Sequence, residues 1–296
     1  MTDLKTFIAE CWEQHATDAP AVALRLPHGL DRVSDEAGLL GLAQLAHHVY
    51  GEHLGAWADG LKYLAALGRL PAFDAHGASG STLLRLRASL ALAGGEGDLR
   101  STLSASDRVR VGALAASSLS EHDIGRATQL FQEALAEARS ADLPTDDPVN
   151  RSLAVTGHNL ACTLEEKVGR NAQERELMIL AARASRHYWE VAGTWLETAR
   201  AEYRLAMTWR QAGDLVQARS HAQLCLEIVQ NQPEAPALEH FFAWEALGVV
   251  ERAAGNSTGH QRALAAAREA FARLDDSDRS WCAAELEKLA TPAAVA

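Results

Sequence analysis

The segment "HHVYGEH", from His47 to His53, contains three histidines and a glutamate, which are side chains suited to metal binding or proton transfer. His48 and Glu52 are four residues apart, so a helix would place both on one face, as pairs of metal ligands often are. No second cluster of such residues is apparent along the chain, and the HExxH pattern is absent. We therefore expect solvated histidines near a helix end, with no metal site and no cofactor.

Two further segments contain residues that other proteins use for phosphate binding or catalysis. "GASGST", Gly77 to Thr82, is small and polar like a phosphate-binding loop, but it lacks the lysine and follows no predicted strand. Ser118, His122 and Asp123 are close in sequence, but at a helix end they do not form a line of nucleophile, base and orienting acid. The sequence therefore indicates that the protein is not an enzyme.

Charge and cysteine usage limit the class of partner. The formal net charge is −11, so the surface as a whole repels nucleic acid and anionic membranes, and we expect neither as a partner. The chain has four cysteines that are far apart and form no CxxC pair: Cys11, Cys162, Cys225 and Cys282. This usage is typical of a reduced protein. The first ten residues have no unbroken apolar core, so we expect no signal peptide and a cytoplasmic location.

The elements that position these residues are predicted to be helices. Apolar residues recur at i, i+3, i+4 and i+7 between breaker-rich stretches at 68–81, 140–150 and 231–237. Alanine, leucine and arginine are conspicuous and have high helix propensity, whereas strand-like runs of valine, isoleucine and threonine are missing. The pattern predicts an all-α protein of about a dozen helices, paired from Asp107 onward.

A repeated frame runs through these helix pairs. A leucine followed by a small residue recurs at intervals of 42 to 46 residues: Leu114–Ala115, Leu160–Ala161, Leu205–Ala206 and Leu247–Gly248. The partner helix of one pair also carries small residues, at Ala218 and Ala222. A larger side chain at these positions would hold the two helices apart. The frame therefore predicts closely approaching helix hairpins.

The motifs of this frame resemble those of the tetratricopeptide repeat (TPR) family. Trp244, Leu247 and Gly248 match the first half of its W-x2-L-G-x2-Y pattern. Ala127 and Phe131 match the A-x3-F that follows. The resemblance covers about residues 107–274, in units longer than the family's usual length of about 34 residues. Long units of this kind are common in TPR-like segments of bacterial regulators.

The resemblance implies an all-α, right-handed superhelical solenoid of antiparallel helix hairpins. It implies an N-terminal cap with degenerate hairpins at 1–105, four TPR-like hairpins at 106–274, and a C-terminal capping helix and tail at 275–296, all in one continuous solenoid.

The resemblance also implies that the first helix of each hairpin lines a concave, peptide-binding groove. The groove residues are then Asn159, Arg200, Tyr203, Arg204, Arg210 and Arg252. Asn159, Arg200 and Arg204 stand at three positions of the carboxylate clamp of chaperone-binding TPR domains. The remaining lysine and asparagine of that clamp are replaced by Gly112 and Ala116. Under the other interpretation the arginines pair with acids such as Glu165 or Glu197 and only solvate the groove.

These features predict a non-catalytic scaffold that binds a protein or peptide partner, because the planar guanidinium pairs well with carboxylate or backbone oxygens. The alternative is a peptide-sensing regulatory protein whose superhelix changes shape on ligand binding. Residues 1–105 are predicted to be helical but are not basic, which argues against DNA binding. The exposed edges of a repeat stack leave room for a homodimer.

Overall fold

The structure, a computed structural model, describes residues 3–97 and 99–291, which form fourteen α-helices and no strand. The helices are α1 Leu4–Arg25, α2 Pro27–Leu30, α3 Glu36–His47, α4 Trp57–Leu67, α5 Ala78–Gly94, α6 Ala105–Leu119, α7 Ile124–Ser140, α8 Pro148–Glu166, α9 Ala172–Ala192, α10 Trp195–Ala212, α11 Leu215–Gln230, α12 Ala237–Ala253, α13 Ser257–Ala272 and α14 Asp276–Ala290. A π-helical segment, His48–His53, follows α3. None of the helices in the described ranges is both long and apolar enough to cross a membrane. The predicted all-α class is confirmed.

The chain divides into two compact units, Met1–Val149 and Asn150–Ala296. Within each unit, helices that follow one another along the chain pack against each other, such as α6 with α7 and α10 with α11. The predicted segments 1–105, 106–274 and 275–296 follow the repeat frame and remain a prediction. The predicted tail beyond Thr291 lies outside the described residues.

The tripeptide "AGD", Ala212 to Asp214, joins two helices because each residue type suits its position. Gly213 follows the last residue of helix α10, and its φ of 87° lies in the left-handed region that glycine adopts without steric cost. The Asp214 carboxylate then accepts hydrogen bonds from the backbone N–H groups of Val216 and Gln217, at 3.1 and 3.0 Å, and caps α11. A break of this kind needs few residues, so the two helices lie side by side as a hairpin.

Small residues fill the contacts between the helices of the second unit. Ala206 of α10 and Ala218 and Ala222 of α11 are fully buried in one apolar cluster. At Gly157 of α8, an added Cβ would lie 2.7 Å from the carbonyl oxygen of Ala181 in α9. The small residues of the repeat frame therefore lie where helices meet, and the helix backbones approach each other closely there.

Larger side chains form the core of the first unit, where α3 packs against α1, α4 and α5. Helix α1 is interrupted at Asp18, whose φ of −150° and ψ of 68° are not helical. The Asp18 carboxylate accepts a hydrogen bond from the Ala21 N–H at 3.0 Å and restarts the helix just after the break. The α1 helix contacts both α3 and the π-helical segment.

Candidate binding cavity

The second unit contains a cavity of about 480 Å³, which is within the range of about 300–1,000 Å³ typical of ligand sites. Side chains of α10 and α12 form most of its wall: Ala199, Arg200, Tyr203, Arg204, Leu238, Glu239, Phe242 and Ala243. Residues spaced three and four apart share a helix face, which is why each helix contributes a pair of adjacent turns. The other lining residues are His158, Cys225, Trp281 and Glu285.

Three aromatic rings form a row along the cavity wall. The Tyr203 ring meets Phe242 edge-on, with centroids 5.9 Å apart, and Phe242 lies 5.2 Å from Trp281. Trp281 of α14 is 64% exposed, whereas Tyr203 is largely buried. The row therefore leads from the surface into the unit, and it offers an apolar side chain a continuous aromatic surface.

Arg200 binds a buried carboxylate and still has donors to spare. Its Nη2 donates to Oε1 of Glu239 at 2.5 Å, and its Nε donates to Oε2 at 3.3 Å. The Glu239 side chain is 7% exposed and the Arg200 side chain 58%. Because a guanidinium has five N–H donors, the remaining ones can reach a ligand in the cavity.

Arg204 is deeper and incompletely satisfied. Its Nη1 donates to Oε2 of Glu165 at 2.6 Å, and the Thr208 hydroxyl donates to the other oxygen of the same carboxylate. The Nε of Arg204 is buried without a hydrogen-bond partner. A buried donor left without an acceptor costs about 1–3 kcal/mol, so Arg204 is held beside the cavity at some cost in stability.

His158 contributes a neutral ring to the cavity. Burial, together with the positive charge of Arg204, lowers the pKa of His158 to about 4. A neutral imidazole offers one donor and one acceptor. The wall thus carries donors from arginines, one amphoteric ring and aromatic surface.

A buried carboxyl, Glu245, lies next to the cavity residue Tyr203 without lining the cavity itself. The Tyr203 hydroxyl donates a hydrogen bond to Glu245, whose Oε2 has no partner. Burial raises the pKa of Glu245 to about 7, and the charge of Glu285 acts in the same direction. The Tyr203 hydrogen bond and the charges of Arg210 and Arg252 oppose that rise. This carboxyl therefore changes its charge near neutral pH.

The structure brings together three of the six predicted groove residues: Arg200, Tyr203 and Arg204 line the cavity. Asn159 is exposed on α8, and Arg210 lies near Glu245, but neither lines the cavity. Arg252 has another partner, because its Nη1 donates to the carbonyl oxygens of Lys288 and Thr291 at 2.6 and 2.9 Å. Arg252 thereby caps the C-terminal end of α14.

The interpretation in which the arginines pair with acids describes these contacts well. Arg204 has Glu165 as its partner, as anticipated, but Arg200 binds Glu239 instead of Glu197. Glu197 is engaged at the start of α10, where it accepts from the backbone N–H and the hydroxyl of Thr194 at 2.8 and 2.7 Å. The repeat frame did not single out Glu239 of α12, and it gave α14 only a capping role, so neither Glu239 nor the cavity residues of α14 were predicted.

Two histidines of "HHVYGEH" form a cluster with a histidine from another helix, which the segment's spacing did not predict. His48 and His53 lie together with His15 of α1, and their ligand atoms all lie within 4.8 Å of one another. The convergence arises because α1 packs on the π-helical segment, a contact between residues more than 30 positions apart that spacing within one segment cannot reveal.

A scan against protein-family models and a search of curated proteins found no match for this chain. The TPR resemblance therefore stays a prediction, and the function has to be argued from the chain's own residues.

Proposed function

We propose that the chain is a non-catalytic binding protein whose second unit holds an extended segment of a partner protein or peptide in the cavity between α10, α12 and α14. In this proposal α8 to α13 are hairpins of a TPR-like, right-handed solenoid, and α10 and α12 present its concave face. Two observations support the stack: α10 and α11 form a tight hairpin, and α10 also contacts α12, the first helix of the next pair. Stacked hairpins need both kinds of contact.

The observation that carries the proposal is the aromatic row beside two arginines that are already paired. Arg200 and Arg204 each hold a carboxylate, and Glu285 accepts from the Lys288 ammonium at 2.7 Å. With its charges balanced in this way, the cavity suits uncharged peptide groups better than a strong anion. Backbone carbonyls of the ligand would accept from the N–H groups of Arg200 that Glu239 leaves free, while an apolar side chain packs on Trp281.

The proposal is tested by selecting random phage-displayed peptides on the immobilised full chain and measuring the affinities of the selected peptides in solution. Trp281→Ala and Arg200→Gln should each weaken binding about tenfold or more, which corresponds to about 1.4 kcal/mol. Both side chains are more than half exposed, so their removal leaves no cavity in the core, and the Arg219→Gln control reproduces the loss of an arginine from a buried carboxylate.

Arg219→Gln is the matched control. Arg219 uses Nε and Nη2 on the buried Glu251, at 2.9 and 2.7 Å, in the same geometry as Arg200 on Glu239, but it does not line the cavity. We expect it to leave peptide affinity unchanged. Failure to enrich any peptide over an empty support, or equal affinity of the selected peptides for wild type and Trp281→Ala, would refute the proposal.

A further inference from the structure

Three histidine rings of the first unit surround one point in space. The ring centroids of His15, His48 and His53 are 4.7, 4.9 and 5.1 Å apart, and the planes are steeply inclined to one another. Nε2 of His48 lies 3.0 Å from Nε2 of His53. Two nitrogens bound to one tetrahedral zinc ion at about 2.0–2.1 Å lie about 3.3 Å apart, so a small adjustment of these two rings would suit a shared ion.

The π-helical segment explains why His48 and His53 meet. In an α-helix, residues five apart point about 140° away from each other. Here the turn is wider: the Leu54 N–H donates to the Val49 carbonyl, five residues back, at 3.1 Å. Residues five apart therefore lie above one another, as in π-bulges, which occur frequently at functional sites. Gly51 permits the close packing of this turn, since an added Cβ would lie 2.8 Å from the Ser118 hydroxyl oxygen.

Two of the rings are held by their other nitrogen. Nδ1 of His48 lies 3.1 Å from a carboxylate oxygen of Glu52, and Nδ1 of His15 lies 2.5 Å from the Trp12 carbonyl oxygen. Both acceptors favour a proton on Nδ1, which leaves Nε2 as the lone-pair nitrogen. Metal-binding histidines are commonly oriented in this way, by a carboxylate or a backbone carbonyl on the nitrogen that does not bind the ion.

We propose that His15, His48 and His53 bind a zinc ion through their ring nitrogens, with Glu52 as the hydrogen-bond acceptor that orients His48. Imidazole ligands suit zinc and other late transition metals, whereas magnesium and calcium require oxygen ligands. Three protein ligands leave one zinc position for water or a ligand. The site lies in the first unit and does not depend on the peptide-binding role proposed for the second.

The first test is titration of zinc alone into metal-free full-length protein by calorimetry at neutral pH. Wild type should take up one equivalent, and magnesium should give no signal. His15→Ala and His53→Ala should each weaken zinc binding at least about tenfold, and Glu52→Gln should weaken it by about 10–100-fold. His76→Ala, at an exposed histidine of the same unit, is the matched control and should bind zinc like wild type.

The second test identifies the ligands by spectroscopy and does not need a variant that folds. Cobalt added to wild type should give the visible absorption of a tetrahedral site without a thiolate charge-transfer band, because all the protein ligands are nitrogens. Absence of zinc uptake by wild type would overturn the proposal. So would unchanged uptake in both folded histidine variants, or a thiolate band, which would place the ion on a cysteine such as Cys11.

Discussion

Glu245 gives the chain a pH dependence whose sign can be worked out in advance. Its side chain is buried, its Oε2 has no hydrogen-bond partner, and burial raises its pKa to about 7 from an ordinary value of 4.5. The perturbation that isolates it is Glu245→Gln, which removes the charge but keeps an oxygen that can accept the Tyr203 hydrogen bond.

The raised pKa means that the folded state holds this proton more tightly than the unfolded state. As pH rises from about 4.5 to about 7, the unfolded chain ionises first, so Glu245 lowers the free energy of unfolding across that window. Each pKa unit corresponds to 1.36 kcal/mol, and the full effect is therefore about 3 kcal/mol. Relative to wild type, Glu245→Gln should gain about that much stability between about pH 5 and about pH 8.

The assay is urea unfolding of wild type and Glu245→Gln at several pH values, and the quantity compared is the difference between their free energies of unfolding at each pH. His47 and His158, whose pKa values burial lowers to about 4, contribute the opposite slope, because their stabilising effect is lost as pH falls below 6.5. Both histidines are present in wild type and variant, so their effects cancel in the difference.

Glu251→Gln is the matched control, since Glu251 is equally buried in α12 but accepts from Arg219 and from Asn256, at 2.7 and 2.8 Å on one oxygen. Neutralising it weakens charge-assisted hydrogen bonds with Arg219, so it should destabilise the protein at about pH 8, where Glu245→Gln is stabilising. A stability difference between Glu245→Gln and wild type that is constant with pH would contradict a raised pKa of Glu245 in the folded state. A loss of stability in Glu245→Gln at about pH 8 would show instead that the ionised carboxylate is stabilised by Arg210 or Arg252.

Two further predictions concern the small residues at close contacts between helices. Gly157→Ala should lower the free energy of unfolding by about 1–3 kcal/mol in urea titrations, because the new Cβ would lie 2.7 Å from the Ala181 carbonyl oxygen. The control Gly125→Ala, on an exposed helical turn, should be neutral or slightly stabilising. Ala206→Leu and Ala218→Leu should each cost about 1–3 kcal/mol through overpacking, and thermal midpoints equal to that of wild type would show that these alanines do not lie at a tight contact.

The helices and their ends could be predicted because their causes are local. The "AGD" break at Ala212 to Asp214 contains both a glycine for the left-handed position and an aspartate for the next cap, so sequence alone locates the hairpin. The predicted loop at 68–81 is less accurate, because α5 already begins at Ala78. There the Ser79 N–H donates to the Glu36 carboxylate at 2.8 Å, a partner 43 residues away that no local pattern contains.

The histidine cluster could not be predicted for the same reason. An α-helical frame separates His48 from His53, and it is the π-helical turn that brings them together. That turn packs closely on α6, where Gly51 faces Ser118, and its third histidine comes from α1. Sequence periodicity assumes the same number of residues in every helical turn. It therefore predicts the wrong side-chain directions wherever tertiary packing widens a turn.

The ion pairs of the cavity, in contrast, could have been predicted from the length of the repeat, which sets how far apart in sequence the two partners lie. Equivalent positions in the predicted repeat frame lie 42 to 46 residues apart, and a long side chain reaches about one helical turn along its neighbour. Two side chains that form an ion pair between the first helices of successive hairpins should therefore lie close to 40 residues apart in the sequence. Arg204 with Glu165 and Arg200 with Glu239 are both separated by 39 residues, in opposite directions along the chain. Helix α10 is thereby tied to α8 on one side and to α12 on the other, which holds the two arginines in place at the cavity.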